Sequence, residues 1–224
     1  MIKAVIFDFD GVIVDSEPLH FKAFHHVLLE AHINFTEDEY WSKYLAMSDK
    51  DLLNELMKHH QAQFSPQDIQ EMLNKKAQRY MKLLQEEPIF FHGIKNVLLH
   101  LSKYFPLAIA SGALLNEIKW ALGNMEATNF FKFIVSAEDV NEGKPNPQIF
   151  FVAYKKLVSL EQGLKTEECL VIEDSVHGIR AAHNARMKCL AVAHTYKDED
   201  LKAADAIVAH ISQVNANLVK ELFS

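Results

Sequence analysis

The chain of 224 residues is 49% hydrophobic and 24% charged, with fifteen Phe against seven Gly, the balance of a globular protein with a sizeable, densely packed core. A formal net charge of −7 argues against a nucleic-acid binder, which normally shows a basic face, so an anionic ligand must be held by local donors rather than by the global field. No apolar run approaches the ~18 residues of a membrane span, and the first is broken by Asp8 and Asp10; neither a membrane partner nor a signal peptide is expected, and the default location is the cytoplasm.

Residues 3–7 (KAVIF) form a short β-branched apolar run that ends abruptly in Asp8-Phe9-Asp10-Gly11. A buried parallel strand delivering polar residues at its carboxyl end has this form. The next stretch, residues 16–87, lacks Gly altogether and reads as successive helices. Thr36 with Glu39 makes a capping box, Ser48 with Asp51 a weaker one, and Ser65-Pro66 supplies an N-cap followed by Pro at the first helical position. Beyond it, residues 94–103 place Ile94, Val97, Leu98 and Leu101 on one helical face.

The strand pattern then returns. Residues 106–110 end in Ser111-Gly112, 133–136 form a further run, 169–172 end in Glu173-Asp174, 189–193 end near His194-Thr195, and 206–208 complete about six strands. Helices lie between them, at 147–157 with Asn146 as N-cap and at 176–186 after Ser175. Cys169 and Cys189 sit inside apolar runs without a second thiol nearby and read as reduced core residues. Alternating strands and helices predict an α/β fold: a doubly wound parallel, Rossmann-like sheet (residues 1–15 and 89–224) with an inserted small helical domain (16–88). The two links fall at residues 14–17 and 88–93, and suggest a lid able to close over the site. Oligomeric state is not legible, a monomer being compatible with everything above.

Ligands of such sheets bind outside the carboxyl ends of the strands, and the polar clusters sit there. Asp8 and Asp10, two apart on a strand, share a face. Burying them together with Glu173 and Asp174 is costly without a cation, and hard oxygen ligands favour Mg²⁺. Lys144, in Glu142-Gly143-Lys144-Pro145-Asn146-Pro147, could neutralise a phosphoryl oxygen or the carboxylates. Ser111 and Gly112 could give hydroxyl and main-chain donors. Singly, each is an ordinary turn or surface residue; the ordered set carries the reading.

These motifs (Asp8-x-Asp10-Gly11-Val12, Ser111, Lys144 in Gly-Lys-Pro-Asn-Pro, and Glu173-Asp174-Ser175) resemble those of the haloacid dehalogenase superfamily, in its helical-cap branch. With Glu17 and His20 the chain looks most like β-phosphoglucomutases and related sugar-phosphate phosphatases. The resemblance implies that Asp8 is the nucleophile and Asp10 the general acid/base. It implies Mg²⁺ held by Asp8, the Asp10 carbonyl and Asp174, with Glu173 in or beside that set, and a phosphoryl group bound by Ser111, Gly112 and Lys144. Substrate contacts are implied for His20 and Lys76 of the cap. Asp10 with Glu173-Asp174 argues against halide release, which needs neither proton donor nor metal.

Three departures stand out. Arg186 replaces a Gly of the family's Ala-Gly-Met, at a C-cap that Gly adopts more easily. Ala46 and Asp49 stand where the mutases carry a glycine and a phosphate-gripping arginine, so that Asp49 brings a repelling charge. Lys75-Lys76 also reads as a solvated pair on a helix. The expected function is a Mg²⁺-dependent phosphatase acting on a small phosphorylated metabolite through an aspartyl-phosphate. A phosphohexomutase is the alternative, and a catalytically silent binding protein on the same fold a third.

Overall fold

The computed structural model describes residues 1–45, 47–60, 64–87 and 89–223; Ala46, and Pro88 at the edge of the inserted segment, lie outside them. Six strands form one sheet: β1 (Ala4–Phe7), β2 (Leu107–Ala110), β3 (Phe131–Val135), β4 (Cys169–Glu173), β5 (Lys188–Val192) and β6 (Ala206–Val208). Their spatial order is β3-β2-β1-β4-β5-β6, and every neighbouring pair is parallel. The first four helices are α1 (Glu17–Glu30), α2 (Glu37–Glu39), α3 (Asp49–His60) and α4 (Pro66–Glu86). Then come α5 (Ile94–Leu101), α6 (Leu115–Asn124), α7 (Gln148–Leu160), α8 (Val176–Asn184) and α9 (Ala216–Leu222).

The doubly wound sheet expected from the sequence is therefore present. All four residues of β1, β2 and the first four of β4 are buried and apolar, because a central parallel strand is covered on both faces. Burying Val5, Ile6 and Phe7 completely contributes roughly 1.5–3 kcal/mol each. Strand order reverses between β1 and β4, the switch point where such sheets open a crevice at their carboxyl ends. Phe7 pairs with Ile172, and the Asp8 N–H donates to the Ile172 carbonyl at 2.9 Å. The register thus sets the residues that follow β1 and β4 side by side.

The chain divides into two compact units, Met1–Asp15 with Ile89–Ser224, and Ser16–Pro88. In the first, the outgoing and returning segments are tied together: Asp15 N–H donates to the Ile89 carbonyl at 2.8 Å, and Val14 bridges Phe90 in antiparallel sense. The second unit is helical and has its own core, with Phe24, Leu28, Phe35, Tyr44, Leu52 and Leu56 among its buried members. Its start signals work as the sequence suggests. Thr36 and Glu39 form a reciprocal capping box, Ser48 Oγ accepts from Asp51 N–H at 3.2 Å, and Ser65 caps α4 with Pro66 next. The turn after α2 continues as a π-helix, Tyr40–Tyr44. Among the described residues no helix is long and apolar enough to cross a membrane.

Boundaries differ by a residue or two. β3 begins at Phe131 rather than 133, and α5 stops at Leu101. Asn146 is not the N-cap of α7; Pro147 is, since Phe151 N–H bonds back to the Pro147 carbonyl at 3.0 Å. Asn146 instead accepts from Gln148 N–H through its side chain. α8 does begin after Ser175, whose hydroxyl accepts from Gly178 N–H, but it ends at Asn184, and Arg186 turns the chain at φ 59°.

Candidate active site

Where β1 ends, Gly11 takes φ 69°, a left-handed conformation that costs Gly little and other residues more. A Cβ there would lie 1.8 Å from Asp174 Oδ2. Gly11 therefore serves two purposes: it turns the chain, and it lets the main chain pass against a carboxylate. The turn is closed by Gly11 N–H to the Val14 carbonyl at 2.9 Å. Asp10, just before it, is half-buried.

Lys144 reaches in from the loop after β3. Its ammonium lies 2.8 Å from Asp8 Oδ2 and 2.6 Å from Glu173 Oε1, over the Phe150 ring at 5.3 Å. Glu173 is wholly buried. Its Oε2 accepts from the N–H groups of Asp174 and Ser175 and from the Ser175 hydroxyl, at 3.0, 3.1 and 3.0 Å. A side chain on Gly178 would collide with it at 1.8 Å. Glu173 is thereby fixed as a support for Lys144, with both its oxygens engaged.

Asp8 Oδ1 is buried and has no hydrogen-bond partner among the described residues. One oxygen each of Asp8, Glu173 and Asp174 lies within 4.8 Å of the others. Burial raises the Asp8 pKa, with Glu173 and Asp10 adding to the rise and Lys144 opposing it. Lys144 loses by burial but gains more from Asp8 and Glu173, which hold its pKa above the usual lysine value. Two of the three buried carboxylates thus share one ammonium, and Asp8 Oδ1 is unmatched among the described residues. Such a set fits a divalent cation with oxygen ligands. The Asp10 carboxylate is not part of the cluster.

Ser111 is buried at the end of β2, its N–H bonded to the Val135 carbonyl at 3.1 Å, and its hydroxyl accepts from Ala113 N–H at 3.2 Å. Gly112 is exposed, and a Cβ on it would meet nothing within 4 Å, so no neighbour requires glycine there. β5 contributes two residues that carried no signal in the sequence beyond standing at a strand end. Thr195 donates its hydroxyl to Asp174 Oδ2, and His194 Nδ1 meets the Gly11 carbonyl at 3.0 Å. Burial lowers the His194 pKa.

His20 and Lys76 belong to the helical unit. Lys76 is not solvated: it is 3% exposed, whereas Lys75 beside it is exposed. Its ammonium contacts both Asp49 oxygens at 2.9 and 2.8 Å and His20 Nδ1 at 2.7 Å. The rings of Phe24 and Tyr80 lie 4.9 and 5.3 Å away, and His20 stacks on Tyr80. Asp49 is accordingly no free repelling charge; it is the counter-ion of a buried lysine. The neighbouring Ala46 lies outside the described residues.

The family model for haloacid dehalogenase-like hydrolases matches residues 5–192. A phosphorylated carbohydrates phosphatase of Thermotoga maritima is 28% identical over 99% of this chain and 100% of its own. A β-phosphoglucomutase of Bacillus subtilis is 27% identical over 98% of this chain and 95% of its own. A solved β-phosphoglucomutase from Clostridium difficile superposes with a TM-score of 0.84 at 27% identity, covering 100% and 97% of the two chains. With the strand-end carboxylates and Lys144 where the motifs put them, the chain belongs to the haloacid dehalogenase-like hydrolase family.

Proposed function

We propose that this protein is a Mg²⁺-dependent phosphatase acting on small phosphorylated metabolites, sugar phosphates above all, by way of an aspartyl-phosphate on Asp8. One observation carries the reading: at the tips of β1 and β4 the buried carboxylates of Asp8 and Glu173 share one lysine, that of Asp174 lies beside them, and Asp8 Oδ1 has no hydrogen-bond partner among the described residues. Phosphoryl transfer is catalysed mainly by positioning and charge neutralisation, and the residues sort accordingly. Asp8 and Asp174, with the main-chain carbonyl of Asp10, would hold the metal, which when bound supplies positive charge to Asp8 and to the phosphoryl oxygens. Glu173 holds Lys144 in place, and Lys144 meets the phosphoryl group together with the Ser111 hydroxyl and the main chain at Gly112.

In the first step an Asp8 oxygen forms a bond to phosphorus as the ester P–O bond breaks, and Asp10 gives its proton to the departing oxygen. In the second, Asp10 takes a proton from water as the water oxygen displaces the Asp8 carboxylate, giving inorganic phosphate. Substrates named for the relatives, phosphorylated carbohydrates among them, support a small substrate. A sugar hydroxyl in place of water would make the enzyme a phosphohexomutase, as the relatives named β-phosphoglucomutase suggest. Against this stands the Asp49–Lys76 pair, which leaves the lysine's charge already matched within the helical unit. A panel of phosphorylated metabolites assayed with and without Mg²⁺ tests the proposal. Release of inorganic phosphate only with the metal supports it. Equal turnover in chelator contradicts it, and isomerisation without phosphate release transfers the assignment to the mutase.

A further inference from the structure

We infer that the consecutive residues His194 and Thr195, at the carboxyl end of β5, are positioning residues for the active site, one for the turn after β1 and one for the Asp174 carboxylate, an inference that rests on the phosphatase reading. A carbonyl only accepts, so the contact between His194 Nδ1 and the Gly11 oxygen at 3.0 Å places the ring proton on Nδ1. Nε2 then carries a lone pair, and Ile211 N–H donates to it at 3.2 Å. Both nitrogens are thus committed, and one neutral tautomer satisfies both contacts. Phe91 stacks on the imidazole at 3.7 Å between centroids, and His210 meets it edge-on at 4.8 Å. Ile211 is fully buried, so the segment that receives the ring is anchored.

Gly11 is the pivot of the turn that follows Asp8 and Asp10, and its left-handed conformation leaves it against the Asp174 carboxylate. Holding the Gly11 carbonyl therefore fixes that turn. Thr195, the next residue, gives its hydroxyl to Asp174 Oδ2 and so orients the carboxylate against which Gly11 packs. Partners that orient a ligating carboxylate tune metal affinity without touching the metal. The two side chains act on different atoms, which makes their effects separable.

The test uses the full chain and four variants: His194→Asn, His194→Leu, Thr195→Ser and Thr195→Val. Asparagine keeps an N–H near the Nδ1 position and leucine does not; serine keeps the hydroxyl and valine does not. Calorimetric titration with Mg²⁺ or Mn²⁺ should show affinity weakened about 10–100-fold in Thr195→Val and largely restored in Thr195→Ser. Hydrogen exchange of residues 8–14 should quicken in His194→Leu and return toward wild type in His194→Asn. On the best substrate of the panel, His194→Leu should lose about 10- to 100-fold in kcat with little change in KM, the asparagine variant recovering most of it. If each pair loses equally, or only thermal stability falls while metal affinity, exchange and kcat hold, the inference is overturned. An inactive wild type would count against the phosphatase reading alone, because the titration and exchange experiments read His194 and Thr195 without turnover.

Discussion

Each of the two units buries a lysine, and the two lysines are neutralised differently. Lys144 sits between Asp8 and Glu173, with Asp174 close by; Lys76 has the carboxylate of Asp49 and meets His20 Nδ1 at 2.7 Å. Lys76 is matched by one carboxylate, whereas Lys144 is shared by two and Asp8 Oδ1 has no hydrogen-bond partner among the described residues. Exposure differs as well: the side chain of Asp49 is 44% exposed, that of Asp8 only 10%. The Lys76 cluster is thus complete as it stands, while the Lys144 cluster has room for further positive charge. Two similar-looking ion pairs have opposite meanings, and the unpartnered Asp8 oxygen separates them.

The largest test of that contrast is Lys144→Met. Removing the cation strands Asp8 and Glu173, and breaking such a buried pair costs about 3–5 kcal/mol. Excess Mg²⁺ should return part of the loss, because a divalent ion can take over some of the compensation. Urea midpoints with and without the metal measure both effects, and a loss indifferent to metal would break the comparison.

Gly11→Ala probes the same edge by geometry alone. The new Cβ must displace the Asp174 carboxylate, and a shift of that size costs on the order of 10²-fold in turnover. Steady-state kinetics on the best substrate measures it. Next in size is a pair in the helical unit. Asp49→Ala strands a buried ammonium and should cost about 1–3 kcal/mol, whereas Lys76→Met leaves a carboxylate that can turn to solvent and should cost less. Thermal melts that reversed this order would show that Asp49 does not hold the lysine.

The smallest expected effect lies far from both lysines. Arg186→Gly relieves a left-handed residue and should stabilise by up to about 1 kcal/mol, visible as a small rise in Tm. That strain was legible in the sequence, because the family's pattern has Gly at the position. So were the sheet, the order of its strands' polar ends and the caps at Thr36, Ser48 and Ser65, since apolar period and capping chemistry are local. Asp8, Ser111, Glu173 and Asp174 were legible as strand-end residues, and Lys144 by its loop motif ahead of a helix.

What escaped the sequence was pairing at a distance. Nothing near Lys76 in the chain announces Asp49 or His20, 27 and 56 residues away, so a buried lysine read more readily as a solvated one. His194 and Thr195 escaped for the same reason, their partners being 183 and 21 residues away. Asn146 misled for a local one: it sits a residue too early to cap a helix whose first turn bonds to Pro147. Strand ends announce themselves through composition, whereas ion pairs that cross a fold do not.

The central claim is that Asp8 carries the phosphoryl group. A single-turnover reaction with Mg²⁺ and a substrate labelled in its phosphoryl group, quenched in acid and digested, locates the adduct by mass spectrometry. The account predicts a hydroxylamine-sensitive label on Asp8, absent from Asp8→Asn, which should also show no turnover. A covalent label on any other residue, or phosphate release by Asp8→Asn at the wild-type rate, would contradict it.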